Sequence, residues 1–450
     1  MSKQDSNSLS QKSTTELQDI VQKVLSLAKA KGATDAATAA NHDRGFSVDV
    51  RMGEVETVAF SEDKGVSVTV YVGQKKGSAS GTDLTDESLK LLVDNAYEIA
   101  LVSAEDPCFG LAESDILIKK SMDLDLYHPW NIEPLQAIEK AKTIEKAALA
   151  YDKRIVNSDG VHVSTYEFFH AYANSHGAIG TVSTTRQNLS CSLIAKDKKS
   201  MQRDYDYTTA RQFSALTDDI SLAESAALRT VNRLNARKIK TGNYPVVFSS
   251  RISSGLFSTF IGAISGSNLY RKSTFLLDSI GQKVFPDFVR VYEQPHIMGA
   301  LGSGAFDDEG VMTRPNVMVD NGIVQQYVLG SYSARRMGLK TTANSGGVHN
   351  LTIDSTGEHL SDILKSMGTG LLVTELMGQG INLITGDYSR GASGFWVENG
   401  EIKFPVEEIT IAGNLRDMFK NIRAIGCDIN PNIATKVGSV LIDSMMIAGD

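Results

Sequence analysis

Metal or proton chemistry would need the eight histidines, which stand at His42, His128, His162, His170, His176, His296, His349 and His359. None is followed by glutamate, so His-Glu-x-x-His and its longer-spaced relatives are absent. Those motifs work because two imidazoles on one helical face hold zinc while the carboxylate beside them activates water. His162 and His170 share a strand face by even spacing but lie far apart along it, and they read as hydrogen-bonded structural histidines. His349, in the glycine-rich stretch Asn344–Asn350, is the better functional candidate. Carboxylates gather at Asp204 and Asp206 and at Asp307, Asp308 and Glu309, without calcium-loop spacing, and read as solvated turns. Cys108, Cys191 and Cys427 are far apart and form no Cys-x-x-Cys pair, which suits reduced thiols better than a disulfide framework or a zinc ribbon. There is no P-loop. Gly368-Thr369-Gly370 and Gly378-Gln379-Gly380 begin like dinucleotide fingerprints, but Val373 and Leu383 occupy the third glycine positions. Gly77–Gly81 fails as a nucleophile elbow because Ala79 stands where the serine is needed. Residue chemistry alone assembles no catalytic constellation.

The elements that would position these residues fall into two groups. Ser13-Thr14-Thr15-Glu16 has capping-box form, and Leu17, Ile20, Val21, Val24 and Leu27 then recur at helical spacing up to Gly32. The polar stretch 1–15 before this helix, without an apolar core of its own, predicts a disordered tail rather than a secretion signal. Strand patterns follow at Phe46–Arg51, Val55–Phe60, Gly65–Val72 and Ser78–Thr82. Their period-two alternation predicts an antiparallel sheet with one covered face. Helices over Asp86–Ser103 and from Glu133-Pro134 to Ala150 would supply the cover. More strands are predicted over Val161–Ala173, Ala178–Thr185, Leu189–Ala195 and Met201–Thr208, then a helix over Ile220–Leu234. The basic, turn-forming stretch Arg237–Tyr244 marks the expected boundary between an N-terminal α/β domain (16–240) and a mainly β C-terminal domain (241–450). Within the latter, Leu256, Phe257, Phe260, Ile261 and Ile264 make one helical stripe, and Asn321-Gly322 and Asn399-Gly400 signal hairpins. The fold class is therefore α+β.

Bulk properties narrow the function. The chain has 450 residues, 42% hydrophobic and 22% charged, and a net charge of -8. Its basic stretches, Lys196–Lys199 and Arg237–Lys240, are too short to track a phosphate backbone, so no nucleic-acid partner is expected. No apolar run of membrane length occurs, so no membrane partner is expected and the location is read as cytoplasmic.

Several long strings are distinctive: Arg271–Ser279, Phe306–Val311, Met367–Gly370, Val373–Gly380, Thr385–Gly400 and Ile409–Leu415, with Gly53–Glu56, Lys76–Ser80, Asp106–Cys108 and Asn174–Gly177 in the first half. Through them the chain resembles the PmbA/TldE branch of the TldD/PmbA family, also termed modulator of DNA gyrase, over nearly its whole length. The resemblance implies an N-terminal α/β domain and a largely β C-terminal domain. It also implies a heterodimer acting as a metallopeptidase on unfolded or small peptides. In the TldD branch, the metal is held by His-Glu-x-x-x-His on a helix and by a cysteine near the C-terminus.

Aligned through Ser265-Gly266 and Arg271, those ligand positions fall on Phe257, Ser258 and Gly262, and the cysteine region on Asn430–Gly438, with Cys427 offset. Ligands and carboxylate are all replaced. The resemblance therefore implies a non-catalytic subunit without a cofactor of its own, zinc residing in a TldD-like partner. In isolation the chain is compatible with a homodimer. Gly346, Gly347, His349, Gly378 and Gly380 are the candidate peptide-contacting residues. Two rival readings stay open: a peptidase in its own right with an unrecognised metal or nucleophile, and a protein-binding modulator of DNA gyrase.

Overall fold

Residues 3–450 are described by a computed structural model. The fold is α+β. The N-terminal half runs α1 (Lys3–Lys31), β1 (Asp35–Arg51), β2 (Glu54–Val72), β3 (Lys75–Gly81), α2 (Asp86–Val102), α3 (Pro134–Tyr151), β4 (Ile155–Asn174), β5 (Ile179–Lys196), β6 (Met201–Ala210) and α4 (Asp219–Asn232). The six strands form one antiparallel sheet in the order β3-β2-β1-β4-β5-β6. Each set of three consecutive strands is preceded and followed by a helix, and the two sets meet where β1 pairs with β4.

The polar tail expected over 1–15 is a correction. From Lys3 onward it belongs to α1, while residues 1–2 lie outside the described residues. The capping box predicted at Ser13–Glu16 is not a helix start either. Thr14 and Thr15 donate their hydroxyls back to the Gln11 carbonyl, as Thr does inside a helix. The apolar stripe does fall where expected, with Leu17, Val21, Val24 and Ala28 buried on the sheet.

Four helices rather than two cover one sheet face. α1 and α2 bury Ala36, Val66, Val68 and Val70, and α3 and α4 bury Val48, Val163, Leu189 and Leu193. The strand segments predicted at Val55–Phe60 and Gly65–Val72 are one strand, β2, because β1 pairs with it almost end to end. The β1–β2 turn puts Met52 and Gly53 at φ 51° and 80°. A left-handed methionine is held there by Glu145 of α3, whose buried carboxylate accepts the Met52 and Gly53 N–H groups at 2.8 and 2.7 Å. Glu145→Ala should therefore cost about 2 kcal/mol, since two donors lose a charged acceptor. Urea unfolding would measure it, and an unchanged midpoint would refute this role.

The C-terminal half runs β7 (Gly242–Phe248), α5 (Ser254–Ala263), α6 (Gly266–Tyr270), β8 (Val291–Glu293), β9 (Asn316–Asp320), β10 (Ile323–Val324), α7 (Ser331–Arg336), β11 (Leu351–Ile353), α8 (Leu360–Met367), β12 (Gly370–Met377), β13 (Asp387–Glu398), β14 (Glu401–Asn414), α9 (Leu415–Lys420), β15 (Ile422–Ile425) and β16 (Val440–Ala448). Both predicted hairpins form: Asn321-Gly322 and Asn399-Gly400 have positive φ and join β9 to β10 and β13 to β14. The larger sheet has the order β14-β13-β12-β7-β16-β15, and β14 also pairs with β16, so the sheet closes on itself. Its inner residues, including Phe248, Val373, Ala392 and Ile411, share one core with α5.

The halves are pinned together by partly buried polar contacts and by apolar packing. Arg211, just after β6, donates to the carbonyls of Ala300 at 3.0 Å and Leu301 at 2.7 Å. Tyr332 donates its hydroxyl to Asp106 at 2.9 Å, and Phe306 and Val311 pack under Tyr172 and Ala178 of the first half. Among the described residues no helix is long and apolar enough to cross a membrane.

Candidate functional site

Phe257, Ser258 and Gly262, the positions that the resemblance aligns with metal ligands, lie on α5, which leaves β7 through a turn in which the Ser249 carbonyl accepts the Ile252 and Ser253 N–H groups. Leu256, Phe257, Phe260 and Ala263 face the core. Phe257 is fully buried and stacks on Phe285, ring centroids 6.1 Å apart, and Phe260 meets Phe285 and Phe419 edge-on. Ser258 points to solvent. A Cβ on Gly262 would meet Leu383 at 3.7 Å, an ordinary contact, so packing does not demand glycine there. The three positions thus present an aromatic ring, a hydroxyl and no side chain. They do not fit a metal ion, and among the described residues no three His, Cys, Asp or Glu side chains are grouped to hold one.

The segment that the resemblance aligns with a cysteine ligand, Asn430–Gly438, runs into Ser439, which lies against the start of α5. Ser439 accepts the Ser250 N–H at 3.1 Å and donates to Asp428 at 2.6 Å. The polar side chains of the segment itself are an amide and an ammonium. Asn432 bridges the Thr209 N–H and the Tyr207 carbonyl of β6, and half-buried Lys436 donates to the Ile433 carbonyl at 2.7 Å. Burial pushes the Lys436 ammonium below its ordinary pKa. Cys427 lies elsewhere, its sulfur 3.3 Å from Nδ1 of exposed His359 at the start of α8.

A cavity of about 360 Å³ opens beside the first turn of α5, between β6 and the β12–β13 strands. Ser254 and Gly255 form one wall and Tyr205 and Tyr207 another, with Arg251, Glu375 and Arg390 among the charged groups. A larger space of about 860 Å³ is lined by 121–131, Thr181–Ser183 and part of α1. Neither contains any of the five predicted peptide-contacting residues.

Those five fall in two separate loops. Gly346, Gly347 and His349 share one, which buried groups hold from beneath. Glu293 accepts the His349 N–H at 2.7 Å and the Asn344 amide at 2.8 Å, and Asp307 accepts the Ser345 N–H at 3.0 Å. Gly346, at φ 92°, has the Asp308 carboxylate 2.4 Å from where a Cβ would stand, which explains the glycine locally. Gly378 and Gly380 sit in the exposed loop after β12. There a Cβ on Gly380 would stand 1.7 Å from the Ser389 carbonyl oxygen, so glycine lets two backbones touch. Of the other histidines, His162 pairs with Asp49 at 2.8 Å across β1 and β4, whereas His170 is half-buried and stacks on Phe306.

Asp307 is not the solvated turn residue its neighbours suggested. Its carboxyl is buried, and burial, then the charge of Glu309, pushes its pKa up to about 7 despite three backbone N–H donors. The sign follows. A carboxyl raised on folding favours the protonated native state, so its stabilising contribution is complete below about pH 4 and is lost as pH rises through about 7. Thermal unfolding from pH 4 to 8 should show this as a falling component that Asp307→Asn removes. Parallel profiles for the two proteins would refute it.

Sequence reasoning missed the arginines around the smaller cavity and the Cys427–His359 contact. Both sets are scattered along the chain; only Arg390 lies in a string already distinctive, Thr385–Gly400.

Comparison with known proteins places this architecture. Family models match in three consecutive parts: the PmbA/TldA metallopeptidase domain 1 over residues 39–100, its central domain over 127–235 and its C-terminal domain over 241–449. The chain belongs to the PmbA/TldA metallopeptidase family. It is 46% identical over 433 residues to "Metalloprotease PmbA" of Escherichia coli, covering 96% of each chain. It is 23% identical over 398 residues to "Metalloprotease TldD homolog" of Buchnera aphidicola, covering 82% of this chain and 80% of that one. Among solved structures, a modulator of DNA gyrase from Bacteroides thetaiotaomicron superposes with a TM-score of 0.90 at 27% identity, over 96% of this chain and 98% of that one.

Proposed function

We propose that this chain is the non-catalytic, metal-free subunit of a TldD/TldE-type heterodimeric metallopeptidase that acts on unfolded or small peptides. The observation that carries the reading is the fate of the metal helix. The helix is kept, yet Phe257 points into the core, Ser258 offers only a hydroxyl and Gly262 offers nothing. Zinc then resides in the TldD-like partner, and this chain contributes walls to a peptide-admitting space. The loops of Gly346, Gly347 and His349 and of Gly378 and Gly380 are the proposed lining, with extended peptide held by backbone pairing, a mode that needs little sequence specificity.

The test mixes the purified chain with its TldD-like partner and measures copurification and peptide cleavage. Association, with chelator-sensitive cleavage only in the mixture, is the expected result. No association and no effect on cleavage would sink the reading.

One observation favours a second reading, a peptidase in its own right: the Cys427–His359 contact is a thiol beside an imidazole. Turnover by the isolated chain that disappears in Cys427→Ser would replace the first reading with this one.

A further inference from the structure

Two guanidiniums, Arg251 and Arg390, line the cavity beside α5, and two more, Arg229 and Arg233, lie near its acidic residues. Arg229 and Arg233 come from the end of α4 and the residue that follows it, Arg251 from the turn before α5, and Arg390 from β13. Three carboxylates stand among them, and they do not satisfy all four. Arg233 is paired with Glu375 at 2.7 Å and also donates to Ser393. Arg251 donates one terminal nitrogen to the Tyr205 carbonyl at 3.0 Å but approaches Asp204 and Asp206 only to 3.9 Å. Its other terminal nitrogen is buried with no acceptor. Arg229 feels the charges of Arg251, Asp204 and Asp206, and its Nε is likewise buried without an acceptor.

Arg390 is the sharpest case. It shares the inward face of β13 with buried Tyr388 and Ala392, lines the cavity, and has its Nε buried without an acceptor. An arginine on the core-facing side of a sheet that lines a cavity, carries no ion pair among the described residues and keeps a buried donor unmatched is arranged for an anion that arrives from outside. Tyr205, Tyr207 and Leu376 give the same cavity apolar walls, and its size suits one terminal residue rather than a whole ligand chain.

We propose that this cavity takes the carboxylate of a peptide, bound by Arg390 and Arg251, so that this subunit anchors one end of the substrate. The α-carboxylate of the C-terminal residue is the favoured source, and an acidic side chain offers the same chemistry. The proposal rests on the peptide-handling reading above, but the cavity and its unmatched donors do not depend on the partner.

The experiment measures fluorescence anisotropy of the full chain with three labelled octapeptides of Ala, Val, Ser and Tyr. One has a free C-terminal carboxylate, one a C-terminal amide, and one an amide preceded by Glu. The free acid should bind at least about tenfold more tightly than the amide, the effect of one charge-assisted contact. Arg390→Gln should abolish that difference and Arg390→Lys should keep part of it, with melting temperatures unchanged because Arg390 carries no internal ion pair. Recovery of binding by the Glu-containing amide assigns the site to acidic side chains instead. Equal binding of all three peptides, or discrimination that survives Arg390→Gln, overturns the proposal.

The mixture with the TldD-like partner separates the two readings. Cleavage with the same KM for acid and amide would overturn the anchor and leave the subunit role standing. Discrimination by the isolated chain without any cleavage in the mixture would do the reverse.

Discussion

Replacing Phe257, Ser258 and Gly262 with His, Glu and His should yield a protein that is less stable by about 3–5 kcal/mol and still binds no stoichiometric zinc. The cost belongs to one position. Phe257 is fully buried between Phe285 and the rest of the core, so an imidazole there leaves part of a phenylalanine-sized space empty and strands two ring nitrogens. Ser258→Glu, on the solvent side, should move stability by no more than about 0.5 kcal/mol. Gly262→His replaces a helical glycine where a Cβ has only ordinary contacts, so it should be neutral or slightly stabilising. The missing zinc has a separate cause. The C-terminal segment that meets the start of α5 at Ser439 carries Asn432 tied to β6 and Lys436 tied to a backbone carbonyl, neither of them a thiolate, imidazole or carboxylate, so a third ligand is lacking. Urea unfolding of the single and triple variants, with metal content after dialysis, checks both halves. A triple variant of native stability holding one zinc would show that the site had been altered only at its ligands, not in the scaffold behind them.

That distinction also explains how far the sequence was legible. Elements with strong periodic patterns were found with nearly correct ends. α3 begins at the Pro134 that predicted it, and α4 covers Asp219–Asn232 where 220–234 was expected. Both Asn-Gly hairpins formed because their chemistry is local. The start of α1 was misplaced because Ser13–Glu16 has the form of a capping box inside a longer helix, and the polar residues before it carry no apolar periodicity. The C-terminal half, read as strands and loops, also holds the short helices α6, α7, α8 and α9, too brief for periodicity to show. The helix that the resemblance aligns with a metal motif could be located because Ser265-Gly266 and Arg271 anchor the alignment a few residues away on the same stretch of chain. The arginine cavity could not. Arg229, Arg233, Arg251 and Arg390 become neighbours only when α4, α5 and β13 pack, and no spacing rule anticipates such a meeting. Likewise, nothing local separates Asp307, which is buried, from Asp308 beside it. The difference is set by the Asn344–Asn350 loop that closes over the first of them.

The same loop gives the second large effect. Glu293→Ala should destabilise the protein by about 3–5 kcal/mol and make the Asn344–Asn350 loop susceptible to proteolysis before the rest of the chain. Glu293 ends β8 almost completely buried, and four groups are organised by its two oxygens. One oxygen accepts the Asn316 amide at 2.6 Å and the Asn344 amide at 2.8 Å. The other accepts the His349 N–H at 2.7 Å and lies 3.8 Å from the His349 ring nitrogen Nδ1, which has no hydrogen-bond partner. Truncation to alanine would leave a backbone donor and one N–H of each amide without an acceptor, each costing about 1–3 kcal/mol before relaxation, while the amides keep the Thr342 and Gly347 carbonyls. Relaxation is easiest on the loop side, where Gly346 and Gly347 are already at positive φ and Gly347 has open space around it. Glu293→Gln keeps one acceptor oxygen and should fall between the two proteins. If this loop contacts peptide as proposed, Glu293→Gln should also raise KM for cleavage by the mixed pair while leaving kcat nearly unchanged. A purely structural carboxylate would lower the melting temperature and leave KM where it was.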